Sequence, residues 1–195
     1  MYRLLAALSI PVLFVAFTSA APIPRHLFPK NPTYYFPTTL GTTWVYDDGN
    51  SLETQIISKV EAVDGGRMIT IEKVHQDGRT PFGILLISTD RVIQLEFQGK
   101  KLDEPLLWLK TPPKPGETWE WKFLGAATGT DFVKGVEKLE LPAGTFEAMK
   151  VDSKYGAGGG LAQATHWYAP GVGLVKSSYG GGASRVLKSF TLGKD

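Results

Sequence analysis

The sequence holds 195 residues, 43% of them hydrophobic, with a formal net charge of +2 and no cysteine. The missing cysteines exclude a disulfide scaffold, a zinc–thiolate site, a cysteine nucleophile and a lipid-modified N-terminal cysteine. No basic run is longer than Lys100-Lys101, so the chain offers no electrostatic footprint for nucleic acid or an anionic membrane.

Residues 1–20 read as a secretory signal. Arg3 supplies the positive charge, Leu4 to Phe17 is a nearly unbroken apolar run, and Thr18-Ser19-Ala20-Ala21 presents the small residues a signal peptidase needs. The run is short for a span of about 20 apolar residues, and Pro11 interrupts it. Cleavage after Ala20 is expected, leaving no transmembrane segment and a secreted or periplasmic chain. Residues 21–33 follow as a proline-rich arm, because Pro22, Pro24, Pro29 and Pro32 cannot join a sheet interior. Residues 34–195 then form one domain, long enough to bury a single core.

Along that domain, short apolar or alternating runs are separated by turn chemistry. Asp47-Asp48-Gly49-Asn50, Asp64-Gly65-Gly66, Gln76-Asp77-Gly78, Ser88-Thr89-Asp90 and Gln98-Gly99-Lys100 each favour a hairpin or Asx turn. Strands are expected near residues 43–46, 53–63, 67–75, 82–87, 91–97, 106–110, 117–123, 132–141, 146–155, 162–169, 174–179 and 185–192. Trp119, Trp121 and Phe123 alternate with Glu120 and Lys122, as one buried and one wet face require; Ile93, Leu95 and Phe97 repeat the pattern against Gln94 and Glu96. No window sustains the spacing of an amphipathic helix. The expected fold is all-β: an antiparallel meander of about ten to twelve strands in a strongly curved sheet, half-barrel or barrel-like roll, with a β-sandwich as the alternative.

The stretch Trp167-Tyr168-Ala169-Pro170-Gly171-Val172-Gly173 reads as a turn between two strands, with Pro170 fixing one φ and Gly171 supplying the positive φ of a type II turn. If residues 146–192 form a four-strand meander, this turn lies at one end. The glycine-rich loops Gly156–Gly160 and Gly180–Gly182 then lie together at the other, where Tyr155, Gly158, Tyr179 and Gly181 could rim the mouth of a pocket.

Three signatures carry a resemblance. Tyr35-Phe36-Pro37 with Gly41, Trp44 and Tyr46, then Leu141-Pro142-Ala143-Gly144-Thr145-Phe146 with Lys150-Val151, then Trp167 to Lys176 occur in the order seen in a group of uncharacterised secreted bacterial proteins, many of them lipoproteins. The resemblance implies a β-rich extracytoplasmic domain and carries over no catalytic residue. This chain departs from many members in lacking a lipid-accepting cysteine.

Chemistry-bearing motifs are scarce. No G-x-S-x-G, H-E-x-x-H or phosphate-binding glycine loop is present, and the histidines His26, His75 and His166 lie far apart in sequence. His75 and His166 read as ordinary strand residues, and Glu117, Glu120 and Glu137 as solvated strand faces. No cofactor, metal or catalytic residue is assigned. The expected function is a non-catalytic binding domain for a small-molecule, lipid or cell-envelope partner, holding an apolar ligand inside the curved sheet. A glycan-binding module would need Trp108, Trp119 or Trp121 exposed as stacking platforms, and a hydrolase would need a site assembled from scattered residues.

Overall fold

The computed structural model describes residues 33–125, 127–157 and 160–194; the signal segment, all but the last residue of the arm, and Gly158 lie outside the described residues. Twelve strands follow one another: β1 (Thr43–Asp47), β2 (Leu52–Val63), β3 (Gly66–His75), β4 (Gly78–Ser88), β5 (Arg91–Phe97), β6 (Lys100–Lys110), β7 (Thr118–Phe123), β8 (Ala127–Leu141), β9 (Gly144–Ala157), β10 (Gly160–Ala169), β11 (Gly173–Tyr179) and β12 (Ser184–Thr191). There are no helices among the described residues.

All twelve strands form one antiparallel sheet in the order β6-β5-β4-β3-β2-β1-β12-β11-β10-β9-β8-β7. Two six-strand meanders are therefore zipped together by β1 on β12, where Thr43 lies opposite Thr191. The sheet curls until its edges β6 and β7 face each other, making a nearly closed barrel and not a two-sheet sandwich. At that seam side chains replace the ladder. Lys110 Nζ donates to the Thr118 carbonyl at 3.2 Å, Lys122 meets Glu104 at 3.4 Å, and the Phe97 and Phe123 rings meet edge-on at 5.3 Å.

One end of the barrel is packed shut. Phe36 reaches in from the segment before β1, its ring 6.0 Å from Trp108 and 6.1 Å from Tyr168. It lies so close to Gly173 that a β-carbon there would stand 2.7 Å from the ring. Trp44, 2% exposed, donates its indole N–H to the Val172 carbonyl at 2.9 Å. The Pro170-Gly171 turn is thus tied to the segment before β1, with Gly171 N donating to the Tyr35 carbonyl at 2.9 Å. Gly171 has φ +73°, and Val172 N donates to the Ala169 carbonyl, as the sequence of a type II turn requires.

Two details differ from the pattern of alternation. On β5 the buried residues are Val92 and Gln94, while Ile93 and Leu95 are half-buried. The reason is a bulge at Leu95: Leu85 pairs with Gln94 but Ile84 with Glu96, so parity flips and only Phe97 of the expected trio joins the interior. β8 also begins five residues before the expected Phe132, at Ala127, and β6 six residues before the expected Leu106, at Lys100. Thr128-Gly129-Thr130-Asp131 resembles a turn, yet it is held in register by Trp121 opposite Gly129 and Trp119 opposite Asp131.

Candidate functional site

Between the packed end and the Tyr155 and Tyr179 ends of β9 and β11 the barrel keeps an open lumen of about 430 Å³. Its volume falls in the range of small-molecule pockets. The two sides of the lumen differ in chemistry. One wall, from β4 to β7, is mainly apolar: Phe82, Leu106, Leu107, Trp108, Trp121 and Phe123, with Gln94 its polar member, accepting from the Trp108 indole N–H at 3.1 Å. The other, from β8 to β12, presents Asp131, Ser153, His166, Ser177 and Arg185, one residue from each of five successive strands.

The polar wall is built by register. Asp131 pairs directly with Ser153, His166 with Ser177, and Ser177 with Arg185. Because side chains opposite one another in a ladder share a face, the polar groups form a belt across the sheet. Asp131 is 6% exposed and accepts from Ser153 Oγ and from Trp121 Nε1, the latter at 2.9 Å. Burial pushes its carboxyl pKa up; those hydrogen bonds offset part of the rise. The Trp119 indole N–H, opposite Asp131, adds a weaker favourable field but makes no hydrogen bond of good geometry. Trp121 can lie against β8 because residue 129 is glycine: a β-carbon there would stand 2.4 Å from the indole ring.

His166 Nδ1 lies 3.0 Å from Ser177 Oγ. Burial pushes the His166 pKa down to about 4, so the ring is neutral at physiological pH. Ser177 is 1% exposed, and Asp131 is engaged by Ser153 and Trp121, so among the described residues no carboxylate hydrogen-bonds the histidine as in a hydrolytic triad. His75 is elsewhere, exposed at the end of β3 and within 2.9 Å of Thr80 Oγ1. The arrangement can donate and accept hydrogen bonds toward an enclosed molecule.

Arg185 links the belt to the neighbouring strands. Its guanidinium lies 3.8 Å above the Tyr46 ring and donates from Nη2 to Glu53 Oε1 at 2.5 Å. Glu53 also receives Gln55 Nε2 at 2.7 Å and pairs with Lys73 at 2.5 Å. Burial alone would raise the Glu53 pKa; the Lys73 hydrogen bond and the Arg185 charge outweigh it and hold the carboxyl below its usual range.

Of the expected rim residues, Tyr155 and Tyr179 both line the lumen, from the ends of β9 and β11. The Tyr155 ring is 5.9 Å from Trp121, and Tyr179 meets His166 edge-on at 6.1 Å. Gly181 sits in the β11–β12 turn with φ +86° and does not itself line the lumen. None of Trp108, Trp119 and Trp121 stands exposed as a platform: Trp119 is buried and the other two face the lumen. Sequence reasoning missed Asp131, Ser153, Ser177, Arg185 and the inward role of His166. The available signal was a polar residue at an inward parity position on each of five consecutive strands.

A DUF3108-like family profile matches residues 131–182, the span that carries the second and third sequence signatures and the polar wall from Asp131 to Ser177. No curated protein matches the chain. In fold the chain is similar to a lipoprotein candidate from Parabacteroides distasonis, at 17% identity and TM-score 0.52, over 83% of this chain and 100% of that one. It is also similar to an exported-protein candidate with a YmcC-like fold from Bacteroides fragilis, at 14% identity and TM-score 0.55, over 81% of this chain and 99% of that one. The profile thus covers the second and third of the three signatures, and the two solved structures share the fold of the barrel.

Proposed function

We propose that the protein is an extracytoplasmic binding domain whose barrel lumen holds one small amphipathic molecule, its apolar part against the Phe82–Trp108–Trp121–Phe123 wall and its polar part on the β8–β12 belt. The observation that carries this reading is the two-sided lumen. An unfilled cavity forfeits dispersion and hydrophobic stabilisation that a folded protein usually collects by packing its interior. A mixed apolar and polar lining around about 430 Å³ is the chemistry of a small-molecule pocket. Tyr155 and Tyr179, at the ends of β9 and β11, form its mouth.

The extracytoplasmic setting rests on the signal-like residues 1–20 and on the descriptions of the two fold neighbours as lipoprotein and exported-protein candidates. Native mass spectrometry of the full chain, purified without detergent from its own host, tests the reading. The expected spectrum contains a fraction of protein carrying one discrete small-molecule adduct that gentle collisional heating removes. A spectrum of bare protein alone, even at the lowest activation, contradicts it.

A further inference from the structure

The polar wall also carries a cation with donors to spare, and resting on the lumen reading we propose that the head group of the enclosed molecule is an anion seated on Arg185. Two cations, Arg185 and Lys73, share the single carboxylate of Glu53, at 2.5 Å each. Lys73 and Glu53 lie behind the lumen lining, whose own charged side chains are Arg185 and, on the far strand of the belt, Asp131. Glu53 is saturated, with both oxygens engaged by Arg185, Lys73 and Gln55. Arg185 is not. A guanidinium offers five N–H donors in a fixed fork, and among the described residues its one hydrogen-bonding partner is Glu53, through Nη2.

The remaining donors belong to a side chain that lines the lumen and is only 20% exposed. Buried cations with spare donors cost free energy unless a partner satisfies them, and an acid's two oxygens match the fork of the guanidinium. The Tyr46 face beneath the guanidinium holds it in place, so little side-chain freedom is lost when an anion binds. His166, neutral above its depressed pKa, adds no competing charge, and Asp131 is turned to Ser153 and Trp121. Phe82 and Trp108 border the same space as Arg185, which places an apolar tail beside the acid. The ligand class is a single acidic group on an apolar chain.

The test is a calorimetric titration of the full chain with three probes of equal chain length, each below its micelle concentration: dodecanoate, dodecanol and dodecyltrimethylammonium. Wild type binds dodecanoate about tenfold or more tighter than dodecanol, as a charge-assisted hydrogen bond provides, and binds the cationic probe weakest. Arg185→Gln brings the dodecanoate-to-dodecanol ratio near one. Glu53→Gln, which removes the internal competitor for Arg185, tightens dodecanoate several-fold and keeps the proposal testable where Arg185→Gln does not fold. Equal or better binding of dodecanol by wild type overturns the anionic head group and leaves the lumen reading standing. A preference that survives Arg185→Gln, or dodecanoate binding weakened by Glu53→Gln, removes Arg185 as its seat. If no probe binds wild type, the lumen reading itself falls.

Discussion

His166 shows how a single side chain records its surroundings. Its pKa falls from 6.5 to about 4 because burial beside Ser177 penalises the charged ring. Between these values the unfolded chain binds a proton that the folded chain refuses, so stability rises with pH across that window and is lost as pH falls through it. The full effect is at most about 3 to 4 kcal/mol, at about 1.4 kcal/mol per pKa unit. Asp131, whose carboxyl is pushed up by burial, acts in the opposite sense above the ordinary carboxylate pKa. Comparison with His166→Gln isolates the histidine: urea midpoints of wild type fall more steeply between pH 6.5 and pH 4 than those of the variant. Parallel curves would mean that the ring is solvated and protonates freely. The sequence marked His166 only as a strand residue, because nothing local distinguishes an inward histidine from an outward one; the partner that settles it, Ser177, arrives from another strand.

At the scale of elements, much of the architecture was legible. Turn residues bounded the hairpins, and Trp119, Trp121 and Phe123 announced the inner face of β7. The Pro170-Gly171 turn has the geometry its residues dictate, with φ +73° at Gly171. The bulge at Leu95 was not legible, because register is settled by the partner strands and a single extra residue reverses every later side chain. Nor was the early start of β8 at Ala127, where the Trp121 indole needs a glycine beneath it and so overrides the local preference for a turn. The seam follows from the topology: β6 and β7 each have one neighbour in the ladder, whereas the other strands have two. Hydrogen exchange should therefore be fastest, among strand amides, on the free sides of β6 and β7 and slowest in the central strands β1 to β3 and β10 to β12. Protection in β7 equal to that in β10 would mean that the ladder closes and the seam does not exist.

For the whole molecule, the closure of β1 on β12 decides what the protein can do. No local pattern predicts that pairing, which joins residues such as Thr43 and Thr191, yet it turns two meanders into one nearly closed barrel. Phe36 and Trp44 plug one end, the tyrosines rim the other, and the polar belt lines the wall between. That belt escaped the sequence because its members are spread over five strands and share no motif; the tyrosines were visible because glycine loops flagged the hairpin ends. The lumen's role is tested most directly by titrating the protein with N-phenyl-naphthylamine, whose fluorescence rises in apolar surroundings, and repeating the titration with Ala127→Trp, which places an indole in the lumen wall at the β8 start. The account predicts saturable one-to-one binding by wild type, with energy transfer from the tryptophans of the apolar wall, and loss of that binding in Ala127→Trp while its circular dichroism keeps the β-sheet signature. Equal binding by the two proteins would place the probe on the outer surface and contradict the claim that the barrel is a ligand container.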